Sequence, residues 1–214
     1  MEPINDPHCI GMEELPSAIN ERAKVSKILH MRSELATVPN DTSTPPDSPL
    51  FKHLSHGMAY TAGSALGSSP PSVNKCLAAY LVPNKADLTA GARAWSKHSH
   101  RSGFQPKELQ DEEMERRKVS AGWWGIPSGP VAVINEKALV LFWKVMNGAT
   151  WKNLHWLPHQ VLVYEIRVAE GYGMRWSQNQ KDCREDNLAE ERPWLFRGFV
   201  EPMMENGHEV GWHH

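Results

Sequence analysis

Histidine is the residue this sequence offers most freely for chemistry, in three groups. Lys97-His98-Ser99-His100-Arg101 sets two imidazoles among cations, His155-Trp156-Leu157-Pro158-His159 spaces two more four apart, and Gly207-His208-Glu209 carries another near the last residues. Imidazole titrates near neutrality and ligates divalent metals, so such groups suit proton transfer or coordination. Pro158 interrupts any helix that would align His155 with His159, so that pair reads as loop residues. Each group also has a structural reading. His98 is well placed to favour a helix C-terminus as a cation, and His155 beside Trp156 suits a core histidine bonded to a carbonyl.

Charged residues at strand spacing are the sharper signal. Glu165 and Arg167 share a face with Val161 and Val163, and Arg197 and Glu201 share one with Leu195 and Phe199. Two carboxylates and two guanidiniums on one sheet face can hold an anion and move a proton, or simply pair with one another across strands. Arg175-Trp176 adds a cation beside an aromatic, and Gly122-Trp123-Trp124-Gly125 sets two indoles where one could form a ring-stacking wall. Core packing is the plainer expectation for Trp124. Asn135, near the start of an apolar helix, needs a partner and is expected to orient a histidine or a backbone loop.

These residues lie in one part of the chain. All nine tryptophans, and seven of the 11 histidines, stand at or after Trp95. The clearest helix runs from about Pro130 to Asn147; it is apolar almost all round and is expected at the centre of the core. Gln160 to Val168 alternates as a strand, Tyr172 to Trp176 follows a turn, and Trp194 to Glu201 makes a further strand. Shorter helices are expected after Ser69-Pro70-Pro71 and after Thr89, and a solvated helix or loop over Gln105 to Lys118. Before them, Pro16 to Ala36 reads as an amphipathic helix with Ile19, Ala23, Ile28, Leu29 and Leu35 inward. Thr37 to Pro71 is rich in Pro, Ser, Thr and Gly and reads mostly as loop. Thr44 and Ser48 precede prolines as proline-directed kinase sites do, although an unmodified linker is the simpler reading.

The expected architecture is α+β: a single compact domain over 69–214, with a small, mostly antiparallel sheet packed on a buried central helix. A helical extension (1–36) and a linker (37–68) precede it.

Composition narrows the function classes. With 25 acidic and 23 basic residues the formal charge is -2, which argues against nucleic acid as a partner and against a charge-driven membrane surface. No run approaches the roughly 18 apolar residues that span a bilayer. Three distant cysteines and a start without a basic-then-apolar segment lead to the expectation of a reducing, cytoplasmic setting, with the nucleus also open. Phosphate loops, dinucleotide fingerprints, nucleophile elbows and zincin or Cys-x-x-Cys spacings are absent from the sequence.

The leading expectation is a histidine-based hydrolase or group-transfer enzyme for an anionic small molecule. His98, His100, His155, His159 and Glu201 would be catalytic, with Arg101, Trp124, Asn135, Arg175, Trp176 and Arg197 holding the substrate. In a metal-assisted version a divalent ion is held by His155, His159 and His208. The competing class is a non-catalytic module whose tryptophans and arginines receive a planar or anionic ligand or a partner.

Overall fold

The computed structural model describes residues 6–34, 48–98, 122–181 and 192–203, with side chains described at all of these except 32–34. Five helices precede four strands: α1 (Ala18–Glu34), α2 (Pro49–Ser55), α3 (Val73–Tyr80), α4 (Ala90–His98), α5 (Val131–Gly148), β1 (Trp151–Leu157), β2 (Val161–Arg167), β3 (Gly173–Asn179) and β4 (Leu195–Val200). The strands form one antiparallel meander in the order β1-β2-β3-β4. The α+β architecture is therefore as its residue patterns require. His100, Arg101, His208, Thr44 and the Gln105 to Lys118 stretch lie outside the described residues.

Alternation divides the sheet into two unlike faces. Leu154, Leu162, Tyr164, Ile166, Met174, Trp176 and Phe199 form the inner face and pack with α3, α4 and α5 into the main core. From α5 come Ala138, Phe142 and Val145, all at 0% exposure, so this helix is the buried centre that its apolar circumference requires. Three hydrogen bonds from core side chains to carbonyls fix the helices: Tyr80 Oη donates to Ala138 O at 2.6 Å, Trp95 Nε1 to Trp124 O at 2.9 Å, and Trp176 Nε1 to Cys76 O at 3.1 Å. Asn135 finds its partners in a backbone loop, accepting from Thr89 N at 3.0 Å and donating to Asp87 O at 2.8 Å. Thr89 Oγ1 in turn accepts from Ala92 N and caps α4.

Four local readings change. His155 and Trp156 belong to β1, because Trp151-Lys-Asn-Leu-His alternates at period two and Pro158 sits beyond the strand, in its turn. Helix α1 turns Ala18, Arg22 and Val25 inward and leaves Ile19 78% exposed. Arg22 sets that phase by pairing with Glu14 and donating to Met58 O at 3.3 Å. Within the Pro/Ser-rich stretch, Ser48 Oγ accepts from Phe51 N and Pro49 opens α2, whose Phe51 and Leu54 pack with Val25. Further on, Ala59 N and Ala65 N donate to Lys152 O and Leu154 O along the outer edge of β1. Finally, β4 shifts register between Arg175 and Trp176, pairing Phe196 with Trp176 and Gly198 with Arg175. Gly198 accommodates the shift at φ +132. Leu195 and Phe199 consequently lie on opposite faces, and Arg197 is the exposed extra residue.

Helices α3 and α4 cross tightly at Gly91 of α4, where a Cβ would stand 2.0 Å from Tyr80 Cζ. Tyr80 is fully buried and anchored through its hydroxyl, so its ring cannot give way. Gly91→Ala is expected to cost about 3 kcal/mol or more. Gly63→Ala, with nothing within 4 Å of its Cβ position, should stay within about 0.5 kcal/mol. Urea unfolding of the two variants checks this, and equal midpoints would refute the tight α3–α4 crossing.

Candidate active site

The outer face of the sheet is polar at its centre. Register places Asn153, Glu165, Arg175 and Gly198 side by side in one row across the four strands. Arg167 and His155 lie two residues to either side of that row, Arg167 on β2 and His155 on β1.

Glu165 is the hub. Its Oε1 accepts from Arg167 Nε at 2.6 Å, and its Oε2 from Arg175 Nε at 2.7 Å, with Arg175 Nη2 at 2.6 Å. Burial alone would raise the carboxyl pKa, but the charges and hydrogen bonds of Arg167 and Arg175 outweigh it and hold Glu165 below its ordinary range. The Arg167 guanidinium is consumed further by Gly171 O at 2.6 Å and Glu201 O at 2.8 Å. Arg175 differs: its side chain is 30% exposed and its Nη1 makes no hydrogen bond to another described residue. It presents a rigidly held cation to solvent.

His155 is half-buried on the same face. Burial lowers its pKa first of all; Glu165 acts against this, while Arg175 and Arg167 lower it further. The imidazole is thus neutral to lower pH than an ordinary histidine, within electrostatic reach of Arg175. Asn153 is committed to structure, accepting from Ser64 Oγ at 3.1 Å and donating to Thr61 Oγ1 at 2.9 Å. This tethers residues 61–64 beside the face. Cys9 brings the N-terminal segment to the Arg167 end, where Arg167 and Glu165 are the charges acting on its thiol.

The structure separates the histidines. Strand spacing of about 4.8 Å puts β1 and β4 roughly 14 Å apart. His98, at the end of α4, lies beyond β4, with its Nε2 3.9 Å from the Cβ position of Gly198. Its Nδ1 stands 3.9 Å from Glu201 Oε1, and both atoms are buried without a hydrogen bond. His98 and Glu201 are neighbours, but across the sheet from His155. His159 occupies the β1–β2 turn at φ 64 and is exposed. Among the described residues no three His, Cys, Asp or Glu side chains gather as a metal would need, and the proposed ligand His208 lies outside them. Trp124 and Trp176 are buried in the core, Asn135 braces the α4 loop, and Arg197 is exposed at the β4 shift. Trp123 stacks on Tyr172 at 4.8 Å with Lys144 Nζ over its ring, so this ring wall is occupied from within the chain. Asn153 and Ser177 complete the face without having been singled out; the signal was the alternation Trp151-x-Asn153-x-His155, hidden by treating His155 as a loop residue.

Residues 113–182, about a third of the chain, match the family model described as the CdiA C-terminal tRNase toxin domain. No curated protein and no solved structure matches the chain. The matched span contains α5, β1, β2 and β3, and with them His155, Glu165, Arg167 and Arg175. It overturns two expectations. The matched family is described as a tRNase, which tells against a hydrolase of small anionic molecules and against the expectation that nucleic acid is an unlikely partner. Net charge sums over all 214 residues, whereas a ligand meets only the local charge of one face, which around Glu165 on the outer sheet is two arginines against one glutamate. Similarity to a toxin family also gives no support to a resident cytoplasmic role.

Removing the hub charge tests this electrostatic arrangement. Glu165→Gln keeps the shape but leaves two arginines without their buried counter-charge, and is expected to cost about 3 kcal/mol at pH 7. Because the Glu165 pKa is depressed on folding, its contribution is present above the unfolded carboxyl value and disappears as pH falls through the folded one. The stability gap between wild type and variant, measured by urea unfolding, should therefore narrow on acidification; a gap that is constant down to pH 3 would contradict the pairing.

Proposed function

We propose that this chain carries an RNA-cleaving domain that acts on tRNA, with its site on the outer sheet face around His155, Glu165 and Arg175. The observation that carries the reading is that the segment resembling the tRNase toxin domain supplies all three of these side chains.

The chemistry follows from their environments. A single-stranded RNA phosphodiester laid against the face meets Arg175, whose guanidinium is fixed by Glu165 yet open to solvent. Charge that accumulates on the phosphoryl oxygens during cleavage is stabilised by a cation already in place. The neutral His155 imidazole takes the proton from the ribose 2′-hydroxyl, the 2′-oxygen attacks the phosphorus, and the bond to the 5′-oxygen breaks, leaving a 2′,3′-cyclic phosphate and a 5′-hydroxyl that takes its proton from water. Glu165 is not the base, because both its oxygens already accept hydrogen bonds from arginines. It is a positioning residue for Arg175. Dependence on the 2′-hydroxyl makes RNA, not DNA, the substrate.

Purified protein incubated with tRNA is expected to yield discrete fragments, with DNA of the same sequence left intact. His155→Ala should lower kcat/KM by about 10²-fold or more. Arg175→Ala should lower it as well, with melting little changed because its side chain is partly exposed. Full activity in His155→Ala would refute the site. The pH dependence has a defined sign: burial lowers the His155 pKa, so the base stays neutral and the acid limb of kcat/KM falls below the ordinary histidine value of about 6.5. An acid limb centred above that value would exclude His155 as the base.

A further inference from the structure

Strand β4 carries one residue more than β3 between matched pairs. Trp176 pairs with Phe196 and Arg175 with Gly198, so Arg197 has no counterpart across the ladder. Its direction follows from its two neighbours. Phe196 turns to the core, its ring centroid 4.7 Å from that of Tyr80 and 5.5 Å from that of Trp176. Gly198 also faces the helix layer, since its Cβ position stands 3.9 Å from Nε2 of His98 at the end of α4, which packs behind the sheet. Between two inward neighbours Arg197 turns to the outer side, in agreement with its exposure.

We infer that Arg197 is a second phosphate contact for the RNA strand, one strand beyond Arg175. The inference rests on the RNA-cleaving reading and extends its site across the β3–β4 pair. Position is the first support: β3 and β4 are neighbours about 4.8 Å apart, and Arg197 leaves β4 beside the Arg175–Gly198 pair on the same face. Charge is the second. Among the described strand residues of the outer face Glu165 carries the one carboxylate, and both its oxygens are taken by Arg167 and Arg175. Arg197 makes no hydrogen bond or ion pair to another described residue. Like charges on adjacent strands repel, and an anion that lies across both removes that cost. A phosphodiester backbone, which repeats its charge along the strand, is such an anion. The bulge itself is the third support. It breaks the ladder and holds Gly198 at φ +132, and its effect is to re-aim one side chain, the arginine, onto the face that carries the candidate site. A strand that crosses the sheet from His155 over Arg175 meets Arg197 next.

The test uses the full chain with His155→Ala, so that RNA is bound but not cut, and a fluorescently labelled single-stranded oligoribonucleotide titrated by anisotropy at several salt concentrations. Adding Arg197→Ala is expected to weaken binding about fivefold at low salt. It should also make the slope of log K against log salt shallower by about 0.7, the share of one phosphate on a single strand. Arg197→Lys keeps the charge and should restore the slope. Lys75→Ala removes an equal charge from the exposed side of α3, behind the sheet, and should leave affinity and slope as in the parent. Homopolymers of adenine, cytosine and uracil should lose affinity by the same factor in Arg197→Ala, because a phosphate contact carries no base information. Thermal melting of each variant should stay near that of the parent. An unchanged slope in Arg197→Ala, an equal loss in Lys75→Ala, or a loss confined to one homopolymer would each overturn the contact. Cleavage of tRNA by the unmodified chain, run in parallel, separates the two claims. Cleavage together with an unchanged slope refutes only the Arg197 contact, whereas binding through Arg197 with tRNA left intact refutes only the cleavage reading. No oligoribonucleotide binding by the parent refutes the contact whatever the cleavage result.

Discussion

The outer face depends on one carboxylate. Glu165 is buried on a sheet where an isolated charge could not persist, and it does so because two guanidiniums bond its two oxygens. Arg167 turns inward from that pair to the carbonyls of Gly171 and Glu201, joining the β2–β3 turn to the residue after β4. Arg175 turns outward. One anion thus orders two cations into different tasks, one closing the sheet and one facing solvent, and leaves the face with an excess of positive charge in a chain whose total is -2. The ion cluster is costly to desolvate, and its full set of hydrogen bonds offsets that cost.

Behind this face the core is built to keep the strands still. Trp176, on the inner side of the strand that carries Arg175, is itself fully buried and donates to a carbonyl of α3. Tyr80 from α3 reaches α5 in the same manner, and Trp95 ties α4 to the loop before α5. Aromatic side chains with one polar atom each do two jobs here: the rings supply buried area, and the N–H or O–H fixes a direction that packing alone would leave loose. The tryptophan excess in the second half of the sequence is therefore mainly scaffold, with Trp143 and Trp156 exposed among the described residues.

Much of this was legible in the residues, and the failures have physical causes. The continuous apolar circumference of 131–146 and the alternation of 161–167 required a buried helix and a strand, and that alternation already put Glu165 and Arg167 on one face. His155 was misread because Pro158 is a strong helix breaker but says little about a strand that ends just before it. Periodicity in α1 chose Ile19 over Ala18, since hydrophobicity cannot foresee that Arg22 will be buried by a salt bridge with Glu14. The register shift at Gly198 reverses the parity of β4, and no alternating pattern announces a single inserted residue. The likeness to a tRNase family was hidden for another reason: whole-chain charge averages away a local cationic face. The converging histidines were an assumption about loops, and strand spacing separates them.

The pairing of Ala59 and Ala65 with β1 has a consequence for the chain as a unit of folding. Without it β1 would be an open border, presenting the carbonyls of Lys152 and Leu154 to any other extended chain. The segment before α3 therefore acts as a sealing strip against intermolecular sheet growth. Cut down to the span that resembles the toxin family, the chain would lose that strip on one side and β4 on the other, and both borders of the remaining three strands would be adhesive.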